Sequence, residues 1–243
     1  MPTRCTGVAS ANNVKKSPDR FMPLPKRAIA ASYLPDQYRY WYSLSKLAMD
    51  PLYEAVPGAF DDEREPLLDL GCGIGLLLHC LRASGCQLPY VGVDTDSVKI
   101  AAARVASSRG GHDNADFQVC DLSVQFPKHQ GSVALLDVLQ YLPQQAQGPL
   151  LAQAAQCVSK QGKLVIRTGL ADGTWRSALT RASDRFGHLV GWMKTSFKAQ
   201  PSAQELRAVL QTHGLQAEFK PLWGRTPFNN WLVIARRSAS AAA

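Results

Sequence analysis

No stretch of this 243-residue chain approaches the 18 or more consecutive apolar residues of a membrane span, and the first thirty residues lack the unbroken apolar core of a secretory signal. Residence in the cytoplasm is the expectation that follows. No CxxC pair occurs among Cys5, Cys72, Cys80, Cys86, Cys120 and Cys157, and most of these sit inside apolar segments, where a thiol behaves as a small hydrophobe. Reduced thiols and no metal site are expected. Acid is in short supply, 19 carboxylates against 27 lysines and arginines, for a net charge of +8. Such a balance suits phosphate backbones, but its position weakens that reading. Arg4, Lys15, Lys16, Arg20, Lys26 and Arg27 face only Asp19, so five of the eight excess charges fall within residues 1–30. That segment holds Pro2, Pro18, Pro23 and Pro25 without apolar periodicity and reads as a disordered basic tail. Residues 238–243, "SASAAA", read as a second disordered tail.

Residues 31–237 are enough to bury one core. The apolar runs "PLLDLG", "LPYVGVD", "DFQVCD", "SVALLDVL" and "GKLVIRTG" are continuous enough for strands covered on both faces. Helical spacing separates them over about Gly75 to Ser84, Ser97 to Ser107 and Gln147 to Ser159. A further helix runs from a capping box at Ser202 and Glu205 to Gly214, before an antiparallel pair in "LQAEFKPLWG" and "FNNWLVIARR". Strands alternating with helices through right-handed crossovers predict an α/β fold, a doubly wound and mostly parallel sheet that binds ligands beyond its strands' carboxyl ends. No internal repeat is present.

The chemistry concentrates at that edge. "LLDLGCGIG" ends a strand in Asp69 and then places Gly71, Gly73 and Gly75 ahead of a helix, which permits a tight turn and close approach by a ligand. The spacing is GxGxG, not the dinucleotide GxGxxG, and Asp69 beside a pyrophosphate is an unfavourable like charge. "VGVDTD" brings Asp94 and Thr95 about twenty residues later, where a carboxylate accepts from two ribose hydroxyls. "QVCDLS" adds Asp121 and Leu122, and "LLDVLQYLP" adds Asp137, Gln140 and Tyr141. Four strands thus close on an aspartate. Asp69, Asp121 and Asp137 have an alternative as loop or helix caps, and Cys72, His79 and Cys80 as packing.

With these motifs the chain resembles the class I S-adenosylmethionine-dependent methyltransferases from about Leu67 to Arg237. The resemblance implies a seven-stranded Rossmann-like sheet and S-adenosyl-L-methionine as cofactor. It places Gly71, Cys72, Gly73 and Gly75 against the cofactor and Asp69 at its methionine end. Asp94 and Thr95 then bind the ribose, and Asp121 with the Leu122 amide reads the adenine. Asp137 borders the methionine and the acceptor. Many members carry histidine where this chain has Gln140. The Asn/Asp-Pro-Pro-aromatic signature of amino-group nucleic-acid methylases is absent here, which favours a small molecule over DNA or RNA. An RNA methyltransferase, a silent methyltransferase-like subunit and an NAD-dependent dehydrogenase are the competing readings.

Two segments are candidates for acceptor recognition. "DQYRYWYSLSKLAMDPLY" is aromatic and predicts a helical lid over Tyr38 to Met49, with Tyr42 facing substrate and Lys46 offering a charge to the methionine carboxylate. An insert of about residues 170–200, after the fifth strand, is longer than a simple connection needs. Its Trp175, Ala178, Leu179, Ala182, Phe186, Leu189, Val190 and Met193 recur at helical spacing, which core packing alone explains. Beside that stripe stand Arg185, His188 and Trp192, with Arg167 at the end of the strand, as a substrate cap. "LLDVLQYL", "IRTGLADGTWR", "DRFGHLVGWMK" and "LWGRTPFNNWLV" resemble the methyltransferases of bacterial aryl polyene pigment pathways. That resemblance implies a hydroxyphenyl acceptor, free or carrier-bound, with His188 as base and Arg167 or Arg185 as cation.

Overall fold

The computed structural model describes residues 24–171, 198–224 and 226–238. Seven strands are present among them: β1 (Leu67–Leu70), β2 (Tyr90–Asp94), β3 (Ala115–Val119), β4 (Ser132–Leu136), β5 (Lys163–Gly169), β6 (Leu215–Pro221) and β7 (Asn230–Arg237). They form one sheet in the order β3-β2-β1-β4-β5-β7-β6. β1 to β5 are parallel, and β7 lies antiparallel between β5 and β6. The strand order reverses between β1 and β4, which opens the ligand crevice of a doubly wound sheet there.

The strands read as apolar runs because both faces are covered. Leu68 and Leu70 of β1 pack with Leu150, Leu151, Leu206 and Leu210 of α6 (Gln144–Gln156) and α7 (Ala203–Thr212) on one face. Leu67 packs on the other with Leu77, Leu78, Leu81, Ile100 and Ala103 of α4 (Leu76–Ala83) and α5 (Ser97–Arg109). α4 buries Leu76 through Leu81 because it is sandwiched: Leu76 and Cys80 turn away from the sheet to meet Ile29, Tyr33 and Leu47. Those partners come from α1 (Lys26–Ala31), α2 (Gln37–Met49) and the turn between them, with α3 (Leu52–Ala55) following. α5 starts on Asp96, whose carboxylate accepts from the amides of Val98 and Lys99. α7 starts on the expected capping box of Ser202 and Glu205.

Two expected boundaries are corrected. The composition places the tail through residue 30, but Lys26–Ala31 is helical and buries Ile29 and Ala30, since α4 would otherwise expose its outer apolar side. The helical spacing places the start of α6 at about Gln147. The helix begins at Gln144 and carries Pro149 inside, because the buried Gln147 amide ties its start to the carbonyls of Leu142 (3.2 Å) and Ala199 (2.9 Å). At the opposite end of the sheet Lys163 donates to the Ala59 carbonyl at 2.8 Å and pairs with Asp62, while Ser132 donates to Glu63. These charges hold the fold far from the rim. Among the described residues no helix is long and apolar enough to cross a membrane.

Candidate active site

The loop between β1 and α4 is folded onto β2. The Gly71 and Cys72 amides donate to the Val93 carbonyl at 2.8 and 2.9 Å, and the Gly75 amide donates to Cys72 at 2.9 Å. The Gly73 amide donates to Asp94 Oδ2 at 3.0 Å. A β carbon on Gly71 would lie 2.4 Å from Val138 Cγ2, so glycine is required where this loop meets the end of β4. At Gly73 the same construction meets nothing within 4 Å; the loop's crest is open to a ligand. Gly75 ends the loop in a left-handed conformation ahead of α4, and Cys72 turns inward beside Gly92, where burial pushes its thiol up.

Four loop amides are therefore spent inside the protein. A pyrophosphate site depends on free backbone N–H groups at such a turn, whereas a phosphate-free nucleoside does not. Asp94 is aimed by the same network: Oδ2 takes the Gly73 amide and Oδ1 takes the Asp96 amide at 2.9 Å. A carboxylate has about four lone-pair sites, which leaves acceptors for ribose hydroxyls. Thr95 beside it is exposed. Asp121 is exposed, and Ser123 donates to its Oδ1 through both amide (2.9 Å) and hydroxyl (2.6 Å), holding that carboxyl below the usual range. Leu122 packs partly against the core.

Asp69 stands elsewhere than expected. It lies one residue inside β1 on the face of Leu67, 2% exposed, and accepts the Tyr90 hydroxyl at 2.5 Å. Burial pushes its carboxyl up to about 7 against the pull of that hydrogen bond. It supports the loop from beneath and does not line the open rim. The carboxylate at the crest is Asp94.

Beyond the loop the rim continues into an ionic chain. Asp137 follows β4 with a left-handed backbone, φ 58°, uncommon outside glycine. Its amide donates to the Arg167 carbonyl at 2.9 Å, and its carboxylate accepts from Arg167 and, at 3.0 Å, from Gln140. Arg167, on β5 and 7% exposed, also reaches Asp50 at 3.5 Å. Lys46 in turn lies 3.4 Å from Asp50. Neither cation is free as expected: Arg167 is held by two carboxylates because a buried guanidinium needs counter-charges, and Lys46 closes on the acid that ends its own helix.

The turn between α1 and α2 meets the loop directly. Tyr33 donates its hydroxyl to the Ile74 carbonyl at 3.0 Å and lays its ring 5.6 Å from that of His79, which is 3.1 Å from His112. Tyr42 is half-buried, its ring 6.4 Å from that of exposed Tyr38. Tyr141 is half-buried in a short turn after β4. Arg185, His188 and Trp192 lie outside the described residues. Tyr33, Asp50 and Tyr90 join the site only through the fold: the parallel register of Leu67 with Tyr90 sets the Tyr90 side chain diagonally from Asp69.

The family model described as "Methyltransferase domain" matches residues 40–218. A curated relative, the ubiquinone biosynthesis O-methyltransferase of Bradyrhizobium sp. (strain ORS 278), is 29% identical over 112 residues, which is 46% of this chain and 42% of that protein. The match thus spans less than half of either. Among solved structures, the magnesium protoporphyrin IX methyltransferase of Synechocystis PCC 6803, with SAH bound, aligns at TM-score 0.60 and 18% identity over 76% of this chain and 82% of that one. An O-methyltransferase family protein from Burkholderia thailandensis aligns at TM-score 0.64 and 21% identity, over 84% and 61%. With the matched model covering most of the described sheet, the chain belongs to the methyltransferase-domain family and has the class I fold of the S-adenosylmethionine-dependent enzymes.

Proposed function

We propose that the protein transfers a methyl group from S-adenosylmethionine to the oxygen of a small hydroxyphenyl acceptor. The observation that carries the cofactor half is the glycine loop, whose spent amides and open Gly73 suit a nucleoside without phosphates held by Asp94 and Asp121. The acceptor half draws on the O-methyltransferases among the relatives and on the resemblance to aryl polyene methyltransferases. The cofactor, when bound, would supply an electrophilic methyl on its sulfonium sulfur, the C–S bond breaking as an acceptor oxygen bonds to that carbon in line and S-adenosylhomocysteine leaves.

The chain's own residues would align the reactants and keep water out, and well-oriented reactants gain about 7 to 11 kcal/mol. A phenol, with a pKa of about 10, also needs help to ionise. Arg167 is ill-suited to that task because Asp137 and Asp50 already share its charge. The reading therefore assigns ionisation to His188 and Arg185, with Tyr42, Tyr141 and Trp192 as acceptor contacts.

The test is transfer from methyl-labelled S-adenosylmethionine to a panel of 4-hydroxyphenyl acids and their carrier thioesters, with total RNA as a separate arm. Label in a methyl ether supports the reading. Label confined to RNA, or no transfer to any acceptor, overturns it.

A further inference from the structure

We propose that Asp50 makes the site prefer the charged sulfonium cofactor over its neutral thioether product; this rests on the cofactor reading above. The strand order β3-β2-β1-β4 sets Asp121, Asp94, the glycine loop and Asp137 in sequence along the rim. At a strand spacing of about 4.8 Å these positions span about 14 Å. A nucleoside with its adenine at Asp121 and its ribose at Asp94 extends its sulfur arm over the loop toward Asp137. The charge at that end thus decides how a sulfonium is received.

Asp137 and Arg167 alone would form a neutral pair. Asp50, from the end of α2, reaches the same guanidinium at 3.5 Å. Two carboxylates thus share one cation, whose Nε is buried without a hydrogen-bond partner. Asp50 thereby competes for Arg167 and leaves part of the Asp137 charge uncompensated. Asp137 is the member that meets the rim: its side chain is 26% exposed, against 9% for Arg167 and 11% for Asp50. Lys46 opposes the effect, but its side chain is 37% exposed and faces water, where screening weakens it. The thioether product lacks the positive charge, so this field acts on one nucleoside and not the other.

Calorimetric titration of the full chain with S-adenosylmethionine and with S-adenosylhomocysteine separates the possibilities. Asp50→Asn keeps the shape, lets Arg167 cancel Asp137, and should weaken S-adenosylmethionine about fivefold to tenfold while leaving S-adenosylhomocysteine nearly unchanged, the difference shrinking in high salt. Lys46→Met should move the ratio the other way, which keeps the test alive if the first variant fails to fold. Equal weakening of both nucleosides makes Asp50 a structural residue and overturns the inference, as does an unchanged ratio in both variants. A wild-type chain that binds neither nucleoside overturns the cofactor reading itself, and this inference with it.

Discussion

Gly71 and Val138 touch so closely that no side chain fits between them: a β carbon on Gly71 would lie 2.4 Å from Val138 Cγ2. The glycine loop and the turn after β4 are therefore one packed unit. Gly71→Ala should displace that turn, lower the thermal midpoint and weaken S-adenosylhomocysteine binding tenfold or more. Gly73→Ala meets no neighbour within 4 Å and adds only the strain of a left-handed backbone at φ 57°, so it should cost binding with a smaller loss of stability than Gly71→Ala. Thermal unfolding and calorimetry on both variants check the contrast, and equal midpoints would contradict it.

Arg167 joins two carboxylates that are distant in sequence. Arg167→Met would leave Asp50 and Asp137 facing each other beside a buried apolar group, and breaking a buried pair costs about 3 to 5 kcal/mol. Adding Asp50→Asn and Asp137→Asn should recover part of that loss. Urea unfolding of the single and triple variants measures it. A triple variant less stable than the single one would contradict the account.

Asp69 gives stability a distinctive pH dependence. Its carboxyl is pushed up to about 7 in the folded chain, against about 3.9 when unfolded. The folded state holds this proton more tightly, so the contribution is complete below about pH 4 and is lost as pH rises through 7. Asp69→Asn should remove that fall. Tyr90→Phe removes a donor to the charged form and should carry the fall above pH 7. His79, lowered to about 4 by burial and by His112, gives an opposite slope that wild type and variants share. Denaturant midpoints between pH 4 and 8 check this, and a gap between wild type and Asp69→Asn that is constant with pH contradicts it.

Tyr33 ties the N-terminal helices to the loop through one hydrogen bond to Ile74. Tyr33→Phe keeps the ring against His79 and orphans that carbonyl, for a cost of about 1 to 3 kcal/mol. Part of the loss should appear as weaker nucleoside binding, because Ile74 lies between Gly73 and Gly75. Chemical unfolding with and without S-adenosylhomocysteine checks it. An identical shift in both conditions would make Tyr33 a packing residue only.

The sheet was legible because its signals are local: apolar runs between helical segments, a glycine-rich turn, an acid at a strand's end. Gly73, Asp94 and Asp121 are accordingly where the residue pattern places them. The ionic chain was not legible, since Asp50, Asp137 and Arg167 meet only through the tertiary fold. Asp69 was misplaced for a related reason. In a strand buried on both faces the apolar pattern does not reveal which polar residue has a partner underneath, and here that partner is Tyr90. The start of α6 was not legible either, because the bonds of the Gln147 amide to Leu142 and Ala199 exist only in the fold.

Calorimetric titration of the full chain with S-adenosylhomocysteine and, separately, with NAD tests the central claim most directly, because the loop either lacks or offers amides for a pyrophosphate. Saturable one-to-one uptake of S-adenosylhomocysteine in the micromolar range, with no heat from NAD at the same concentrations, is the predicted result. Uptake of NAD, or silence toward S-adenosylhomocysteine at millimolar levels, would contradict it.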